Sequence, residues 1–232
     1  MNSDAIILAG GFGTRLSDLA RDIPKPMIQV NGRPFLEYVL DYLQRQGIKN
    51  VILSTGYLSE VIEAHFGKSY HNIKISYSVE DKPLGTGGAI MAALRLAGSP
   101  DCLVMNGDTL FLADLNDLER MHREKNADIS LLLRNVDNVG RYGAVNIDKY
   151  NLITGFSEKE VSKREGLVNG GIYMIKKESL SKLKMPSVFS LEKDLFSALP
   201  RKLKLYGLES DGYFIDIGTP EDYMKAIDEL KG

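Results

Sequence analysis

The chain has little cysteine, little net charge and no long apolar run. Each of these features argues against one class of protein. Its 232 residues include one cysteine, Cys102, which has no partner for an internal disulfide and suits a reducing cytoplasm as a core residue. The formal net charge is -2, so there is no broad basic surface for nucleic acid. No apolar run is long enough to cross a bilayer, and the first residues lack the basic start of a signal peptide. We therefore expect a cytoplasmic protein that binds neither nucleic acid nor membrane.

Short β-branched runs alternate with longer amphipathic stretches through the first half of the chain. Strands are predicted over residues 5–9, 50–54, 73–79 and 102–106, and helices over 34–47, 58–67, 86–98 and 114–125. The second half predicts strands over 127–134, 142–147, 152–158, 167–175 and 213–218, with helices over 191–199 and 220–230. This order indicates an α/β fold in one domain: a doubly wound, Rossmann-like, mostly parallel sheet with antiparallel additions.

Residues 7–16, ILAGGFGTRL, put three glycines and an arginine directly after the first predicted strand. Ligands of open α/β sheets bind beyond the carboxyl ends of the strands, so bare backbone and a fixed positive charge here indicate a phosphate site. The loop lacks the third glycine of the dinucleotide fingerprint, where Leu16 stands, and the Gly-Lys-Ser/Thr of a Walker A loop. A tight strand-to-helix turn with Arg15 on the surface is the alternative.

A lysine between two prolines supplies a second cation. In IPKPM, Pro24 and Pro26 are expected to hold the backbone extended and so limit where the Lys25 ammonium points. Arg15 offers a planar fork for phosphate oxygens and Lys25 a compact charge. Together they are suited to stabilising the charge on a departing pyrophosphate.

LAGGFGTRL followed by PKPM resembles the signature of the sugar-1-phosphate nucleotidyltransferases, and later motifs follow in matching order over nearly the whole chain. One departure is SDLARDI, between the arginine and the lysine, where many members carry a Pro and a Thr. The resemblance implies a nucleotide-binding half over about residues 1–110 and a sugar-phosphate half over about 111–232. It also implies catalytic roles for Arg15 and Lys25. The nucleotide contacts that it implies in this loop are Leu8, Ala9, Gly10, Gly11, Gly13 and Thr14.

Two aspartates are expected at the carboxyl ends of strands, facing the crevice that holds the glycine loop. Asp108 follows the apolar run CLVMNG, and Asp216 lies in YFIDIG. Mg²⁺ is commonly held by one or two carboxylates together with substrate phosphates and water, so this pair suffices. Taken alone, Asp108 in NGDT also fits an ordinary turn aspartate. The resemblance implies that both aspartates bind Mg²⁺ and that Asp108 is catalytic.

The segment EDKPLGTGGAI begins at Glu80 and carries glycines that open a predicted helix. Glycines there permit a flat purine to lie on the backbone, and the resemblance implies that this loop holds the base, with contacts from Gly85 and Thr86. A carboxylate only accepts hydrogen bonds, and guanine offers adjacent N1–H and N2–H donors that Glu80 can pair bidentately. Guanine is therefore our hypothesis. Thr86 as a helix N-cap is the alternative for this segment.

GRYGAV, FSEKE and LVNGGIY resemble the acceptor-site segments of the family. The resemblance implies close approach of the sugar at Gly143, hydrogen bonds from sugar hydroxyls to Glu158 and contact of the sugar phosphate with Lys159. It also implies that Asn169 and Gly170 line the pocket. The charged stretch SEKEVSKRE is alternatively a solvated loop.

The reaction implied is attack by a sugar-1-phosphate oxygen on the α-phosphorus of a nucleoside triphosphate, with release of pyrophosphate. The second pKa of a phosphate monoester is near ~6, so the nucleophile is largely ionised at neutral pH and needs no general base. The three histidines agree with this, because His65, His71 and His122 are all predicted in helical stretches outside the motifs. The site has to position two anions and neutralise them.

Within the family, the motifs look most like the short D-glycero-α-D-manno-heptose 1-phosphate guanylyltransferases, which make GDP-heptose for bacterial surface polysaccharides such as capsule and lipopolysaccharide. Only 16 residues follow Asp216 and no hexapeptide repeat appears, so no carboxyl-terminal β-helix is expected. The residues leave open a nucleotidyltransferase for glucose, mannose or N-acetylmuramate 1-phosphate using UTP or dTTP. A nucleotide-sugar-dependent glycosyltransferase and a non-catalytic nucleotide-sugar-binding protein are alternatives of other classes. A homodimer stays open, because interface positions cannot be separated from core positions in this sequence.

Overall fold

The computed structural model describes residues 3–11, 23–156, 164–196 and 203–230. The strands in these residues are β1 Ala5–Leu8, β2 Gln29–Val30, β3 Arg33–Pro34, β4 Asn50–Thr55, β5 Ser69–Tyr70, β6 Ile73–Val79, β7 Asp101–Asn106, β8 Thr109–Leu112, β9 Ile129–Val136, β10 Val145–Ile147, β11 Ile153–Phe156, β12 Gly166–Lys176, β13 Leu205–Glu209 and β14 Tyr213–Asp216. The α-helices are α1 Phe35–Arg45, α2 Ser59–Phe66, α3 Gly85–Leu94, α4 Leu115–Glu124, α5 Lys177–Ser181 and α6 Pro220–Glu229. Lys25–Met27 and Val139–Arg141 are 3-10 turns, and Leu191–Phe196 is a π-helical turn.

Eight of the described strands form one sheet in the order β13-β9-β12-β7-β1-β4-β6-β5. Strand β1 lies between β7 and β4 and pairs with both in parallel, with Ile7 opposite Met105 on one side and Leu53 on the other. Strand β6 continues the parallel pairing beyond β4. The carboxyl ends of β1, β4, β6 and β7 therefore lie along one edge of the sheet, which is where such sheets bind ligands.

Both faces of the central strands are buried, as their near-continuous apolar sequences predict for a parallel sheet. Successive residues of β1 enter opposite core clusters: Ile7 packs with α1 on one face, and Ile6 packs with α3 on the other. The cysteine expected in the core, Cys102, is fully buried in the second cluster, and burial raises the pKa of its thiol to about 12. The thiol therefore stays protonated at neutral pH.

The antiparallel additions predicted for the second half are confirmed. Strand β12 runs antiparallel to β7 on one side and to β9 on the other, and β13 pairs with β9 in parallel. Strand β14 pairs antiparallel with β8 in a separate two-stranded sheet, which places Asp216 opposite Thr109. This pairing brings the two predicted metal aspartates together, because Thr109 directly follows Asp108.

Some predicted elements differ from the structure. The sequence prediction omits helix α5 and the short strands β2, β3, β5, β8 and β13. The pairing of β8 and β13 depends on distant parts of the chain. His71 lies in the turn between β5 and β6 with φ 49°, so its predicted helical placement is wrong. None of the described helices is both long enough and apolar enough to cross a membrane.

One histidine is buried without full hydrogen bonding. His122 on α4 is 2% exposed, and its Nδ1 lies 3.0 Å from the Ser130 hydroxyl. Its Nε2 has no hydrogen-bond partner among the described residues, and the nearest carboxylate oxygen, from Asp101, is 3.9 Å away. Burial lowers the pKa of His122, against a smaller opposing effect of Asp101, while Lys176, Asp128 and Arg123 add still smaller effects. The folded protein therefore holds this imidazole neutral.

We predict that His122 makes the protein less stable in mild acid. The unfolded chain binds the proton more readily, so the free energy of unfolding falls as the pH drops below about 6.5 and levels off below the lowered folded-state pKa. Urea unfolding of the wild type and of His122→Gln between pH 8 and pH 5 measures this. The stability difference between them should shift in favour of the variant as the pH falls; a difference that is constant with pH would contradict the prediction.

Candidate active site

A cavity of about 520 Å³ opens at the carboxyl ends of β1, β4, β6 and β7. This volume is in the range of small-molecule sites. Its wall includes eight residues predicted from the sequence: Leu8, Gly10, Gly11, Lys25, Glu80, Gly85, Thr86 and Asp108. Ala9 is not on the wall, because it is 1% exposed and its N–H is bonded to the Ser54 carbonyl at 2.7 Å. Gly13, Thr14, Arg15, Glu158 and Lys159 lie outside the residues that the structure describes.

Lys25 and Asp108 meet on the wall of this cavity, although 83 positions separate them in the sequence. The Lys25 ammonium donates to Asp108 Oδ2 at 2.5 Å, and the two side chains are 14% and 33% exposed. The predicted extended backbone at Lys25 is wrong. Pro24 is extended, but Lys25 begins a 3-10 turn that closes with a bond from Met27 N–H to the Pro24 carbonyl at 2.8 Å. The direction in which the Lys25 side chain leaves the backbone is therefore set by this 3-10 turn and not by extended backbone.

Asp216 adjoins this ion pair. Burial and the Asp108 carboxylate raise the pKa of Asp216 to about 6, while the Lys25 ammonium acts in the opposite direction. Asp216 Oδ1 is buried and has no hydrogen-bond partner among the described residues. A bound cation would stabilise this oxygen, because burying an ionised carboxylate without a partner costs free energy.

The two aspartates fit Mg²⁺ rather than a metal enclosed by protein ligands. Within residues 3–11, 23–156, 164–196 and 203–230, no group of three or more Asp, Glu, His or Cys is spaced to hold a metal ion. Mg²⁺ needs only one or two carboxylates when phosphates and water complete its octahedron. The donor set therefore suits a metal that arrives with a phosphate ligand.

Glu80 lies on the wall of the cavity, and one of its carboxylate oxygens accepts a hydrogen bond from the backbone. Its Oε2 accepts the Leu84 N–H at 2.8 Å, which closes the loop after β6. Its Oε1 lies 3.5 Å from the Ser54 hydroxyl, a long contact. Because each carboxylate oxygen has two lone pairs, Glu80 keeps capacity to accept hydrogen bonds from a ligand.

The glycines of GTGG serve close packing against a distant segment. A Cβ on Gly87 would overlap the ring of Phe189, and one on Gly88 would overlap the Ser187 carbonyl. The Phe189 carbonyl in turn accepts the Gly87 N–H at 3.0 Å at the start of α3. Of the glycines in this loop, Gly85 is on the cavity wall. Contact of a purine with these glycines stays a prediction.

Thr86 is not the N-cap of α3, so that alternative is wrong: the N-cap is Leu84, without a side-chain bond. Instead, the Thr86 hydroxyl donates to Glu192 Oε2 at 2.8 Å. Glu192 Oε1 accepts from the hydroxyl of the fully buried Tyr173 at 3.3 Å, and Tyr173 accepts from Asn169 Nδ2 at 2.7 Å. This polar chain connects the wall of the cavity to strand β12.

The three predicted acceptor residues that the structure describes, Gly143, Asn169 and Gly170, have structural contacts of their own and do not lie on the wall of the cavity. Asn169 Oδ1 accepts the Gly171 N–H at 3.0 Å within a bulge of β12. Gly170 lies where a Cβ would overlap the Phe111 ring. Gly143 has φ 84° and closes a turn on the Val139 carbonyl at 2.9 Å. Their contact with a sugar phosphate stays a prediction.

The geometry so far is a cavity at the carboxyl edge of a parallel sheet, with the Lys25 ammonium, the two adjoining aspartate carboxylates and the Glu80 carboxylate. The family model described as nucleotidyl transferase matches residues 4–231. This chain belongs to the nucleotidyl transferase family.

Similar proteins cover this family member almost end to end. It is 45% identical to D-glycero-alpha-D-manno-heptose 1-phosphate guanylyltransferase of Aneurinibacillus thermoaerophilus over 228 residues, 98% of each chain. It is 46% identical to the protein of the same name from Campylobacter jejuni subsp. jejuni over 223 residues, 96% of this chain and 98% of the other. The crystal structure of HddC from Yersinia pseudotuberculosis complexed with GMP-PN superposes with a TM-score of 0.88 at 36% identity, covering 99% of this chain and 100% of that one.

Nine wall residues of this nucleotidyl transferase are absent from the predicted site, and five of them carry polar side chains: Ser54, Tyr57, Asp81, Lys82 and Asn106. Ser54 and Asn106 lie at the carboxyl ends of β4 and β7, so the rule that led to Asp108 also applies to them. Tyr57 and Lys82 follow β4 and β6 in loops, where the sequence gives no periodic signal.

We predict that Gly87→Ala destabilises the nucleotidyl transferase by about 1–3 kcal/mol, because the added methyl overpacks against Phe189. Urea unfolding measures the loss. Gly98→Ala is the matched control, since its Cβ would meet its nearest atom at 3.6 Å, and it should cost less than about 0.5 kcal/mol.

Adding Phe189→Ala to Gly87→Ala should remove the overlap, so the double variant should lose less stability than the two single losses combined. Additive losses would mean that Phe189 is not what Gly87 accommodates.

Proposed function

We propose that this chain transfers GMP from GTP to D-glycero-α-D-manno-heptose 1-phosphate, giving GDP-heptose and pyrophosphate. The observation that carries the proposal is the meeting of Lys25, Asp108 and Asp216 beside a cavity that also contains Glu80. The relatives named above support the choice of sugar and of base. The enzyme then works in the cytoplasm, on the route to a surface polysaccharide such as capsule or lipopolysaccharide.

The base is read by Glu80. Guanine presents two adjacent N–H donors, and Glu80 Oε1 has lone pairs to accept them while Oε2 stays fixed by the Leu84 N–H. Uracil and thymine present one N–H between two acceptors, which a carboxylate cannot match. Adenine offers an amino group beside an acceptor nitrogen. The fixed carboxylate therefore favours guanine over the other bases.

In the reaction, a sugar-1-phosphate oxygen forms a bond to the α-phosphorus of GTP while the bond from that phosphorus to the bridging oxygen of pyrophosphate breaks. The electron pair leaves with pyrophosphate. Lys25 contributes a compact positive charge to the phosphates, and Arg15 is proposed to add a second. Asp108 and Asp216 would hold Mg²⁺, which when bound neutralises charge on the triphosphate. The remaining work of the chain is to position the two anions.

The acceptor is proposed to contact Gly143, Glu158, Lys159, Asn169 and Gly170. Among these, Asn169 is held by both Tyr173 and the Gly171 N–H, so its amide has a fixed orientation. A fixed amide supports recognition of one sugar over another, because no ordering entropy has to be lost on binding.

The function is tested by pyrophosphate release with GTP, ATP, UTP or dTTP and Mg²⁺, each combined with heptose, mannose, glucose or N-acetylmuramate 1-phosphate. We predict that GTP with the heptose 1-phosphate gives the highest kcat/KM. Preference for a pyrimidine nucleotide would overturn the base assignment. Binding of a nucleotide sugar without any pyrophosphate release would identify a non-catalytic binding protein instead.

Lys25→Met is predicted to lower kcat on the order of 10²-fold, because a preorganised positive charge is lost from the reacting phosphates. Single-turnover rates at saturating GTP isolate this step. Lys74→Met is the matched control: Lys74 is exposed near the start of β6, at the opposite edge of the sheet, and its removal should leave kcat unchanged. An unimpaired Lys25→Met enzyme would contradict the role given to Lys25.

A further inference from the structure

The Lys25–Asp108 ion pair occupies a carboxylate that the proposed function assigns to a metal. Asp108 Oδ2 accepts from the Lys25 ammonium at 2.5 Å, and Asp108 Oδ1 accepts from the Thr109 hydroxyl at 3.2 Å. Both oxygens of Asp108 are therefore engaged within the protein. A divalent cation that binds this carboxylate has to share it with an ammonium already in contact, and like charges repel at that separation.

Because a second carboxylate is present, the net charge of the group depends on whether Lys25 is there. Asp216 lies beside Asp108 through the β14–β8 pairing, with Oδ1 buried and unpartnered among the described residues. With both carboxylates ionised, the group carries two negative charges and the Lys25 ammonium balances one. Removing the ammonium leaves the full double charge, which is a stronger attraction for a divalent cation.

The backbone at Lys25 is fixed, while its ammonium is free to change partners. Pro24 and Pro26 flank it, the 3-10 turn is closed by hydrogen bonds, and Pro26 is buried against the loop that carries Asp108. The ammonium is at the end of a flexible four-carbon chain, and it carries a compact, strongly hydrated charge. Lys25 and Asp108 both line the cavity, so a triphosphate bound there offers the ammonium other anionic oxygens.

We propose that Lys25 and a divalent cation compete for Asp108, and that a bound triphosphate frees this carboxylate for the metal by drawing the Lys25 ammonium onto its own oxygens. Lys25 thus acts as a resident counterion that balances one of the two carboxylate charges until the nucleotide arrives. The inference deepens the proposed function and rests on it. Its consequence is that metal and triphosphate bind cooperatively, each raising the affinity for the other by the same factor.

The competition is tested with Mn²⁺ alone, in the absence of nucleotide and sugar phosphate. Free Mn²⁺ is titrated by electron paramagnetic resonance against the wild type, Lys25→Met, Lys25→Arg and Lys74→Met. Lys25→Met should bind Mn²⁺ on the order of 10-fold more tightly than the wild type, because the competing charge is gone. Lys25→Arg keeps the charge, so it should stay within about twofold of the wild type, as should Lys74→Met.

Lys25→Met/Asp108→Asn locates the effect, since the gain in Mn²⁺ affinity should disappear without the Asp108 carboxylate. Thermal unfolding gives a second readout: Mn²⁺ should raise the Tm of Lys25→Met by more than that of the wild type. Lys25→Gln serves the same comparison if Lys25→Met does not fold. Equal or weaker Mn²⁺ binding by the uncharged variants would overturn the proposal. Failure of the heptose or guanine assignment would leave these metal titrations unchanged, so the two failures are distinguishable.

Discussion

Parallel hydrogen bonding between β1 and its neighbours β4 and β7 sets the edge of the sheet at which the cavity opens. This pairing aligns the carboxyl ends of three strands, and the residues at or just beyond these ends include Gly10, Gly11, Ser54 and Asp108. Strand β6 extends the same edge and delivers Glu80. A shift in register at any of these pairs would move the Glu80 carboxylate relative to the Lys25–Asp108 ion pair. The rigid sheet thus provides the positioning that phosphoryl-group chemistry depends on.

Against this scaffold the charges form a compact group. A turn flanked by Pro24 fixes the backbone at Lys25, and the β14–β8 pairing brings Asp216, at the end of β14, beside Asp108, which directly precedes β8. Neither arrangement requires a histidine or a nucleophilic side chain at the reacting phosphorus. The site neutralises charge that is already present on its substrates, which agrees with a reaction whose nucleophile is ionised at neutral pH.

Much of the fold and the ends of the central strands could be predicted from the sequence. Alternation of β-branched runs with amphipathic stretches is a local signal, and the rule that ligands bind at carboxyl ends predicts that the glycine loop, Asp108 and Asp216 face one crevice. Lys25 and Glu80 follow instead from their local motifs and from the family resemblance. The extent of most strands agrees within one or two residues. The short strands β8 and β13 are not predicted, because they are stabilised by partner strands far along the chain and not by a pattern of their own.

Contacts between distant segments cannot be predicted from the sequence patterns. Nothing local indicates that Gly87 accommodates the Phe189 ring, and the glycine pattern alone predicts a surface for the base. The chain from Thr86 through Glu192 to Tyr173 was also missed, because the three residues come from separate elements and none belongs to a motif with a fixed spacing. Both features lie beside the cavity, where close packing and buried hydrogen bonds, and not local propensity, determine the structure.

The most direct test of the account is a crystal structure with a non-hydrolysable GTP analogue and Mn²⁺, in which anomalous scattering locates the metal. The account predicts guanine against Glu80, Mn²⁺ between Asp108 and Asp216, and the Lys25 ammonium on a phosphate oxygen. A nucleotide bound outside this cavity, or a metal with neither aspartate as a ligand, would contradict it.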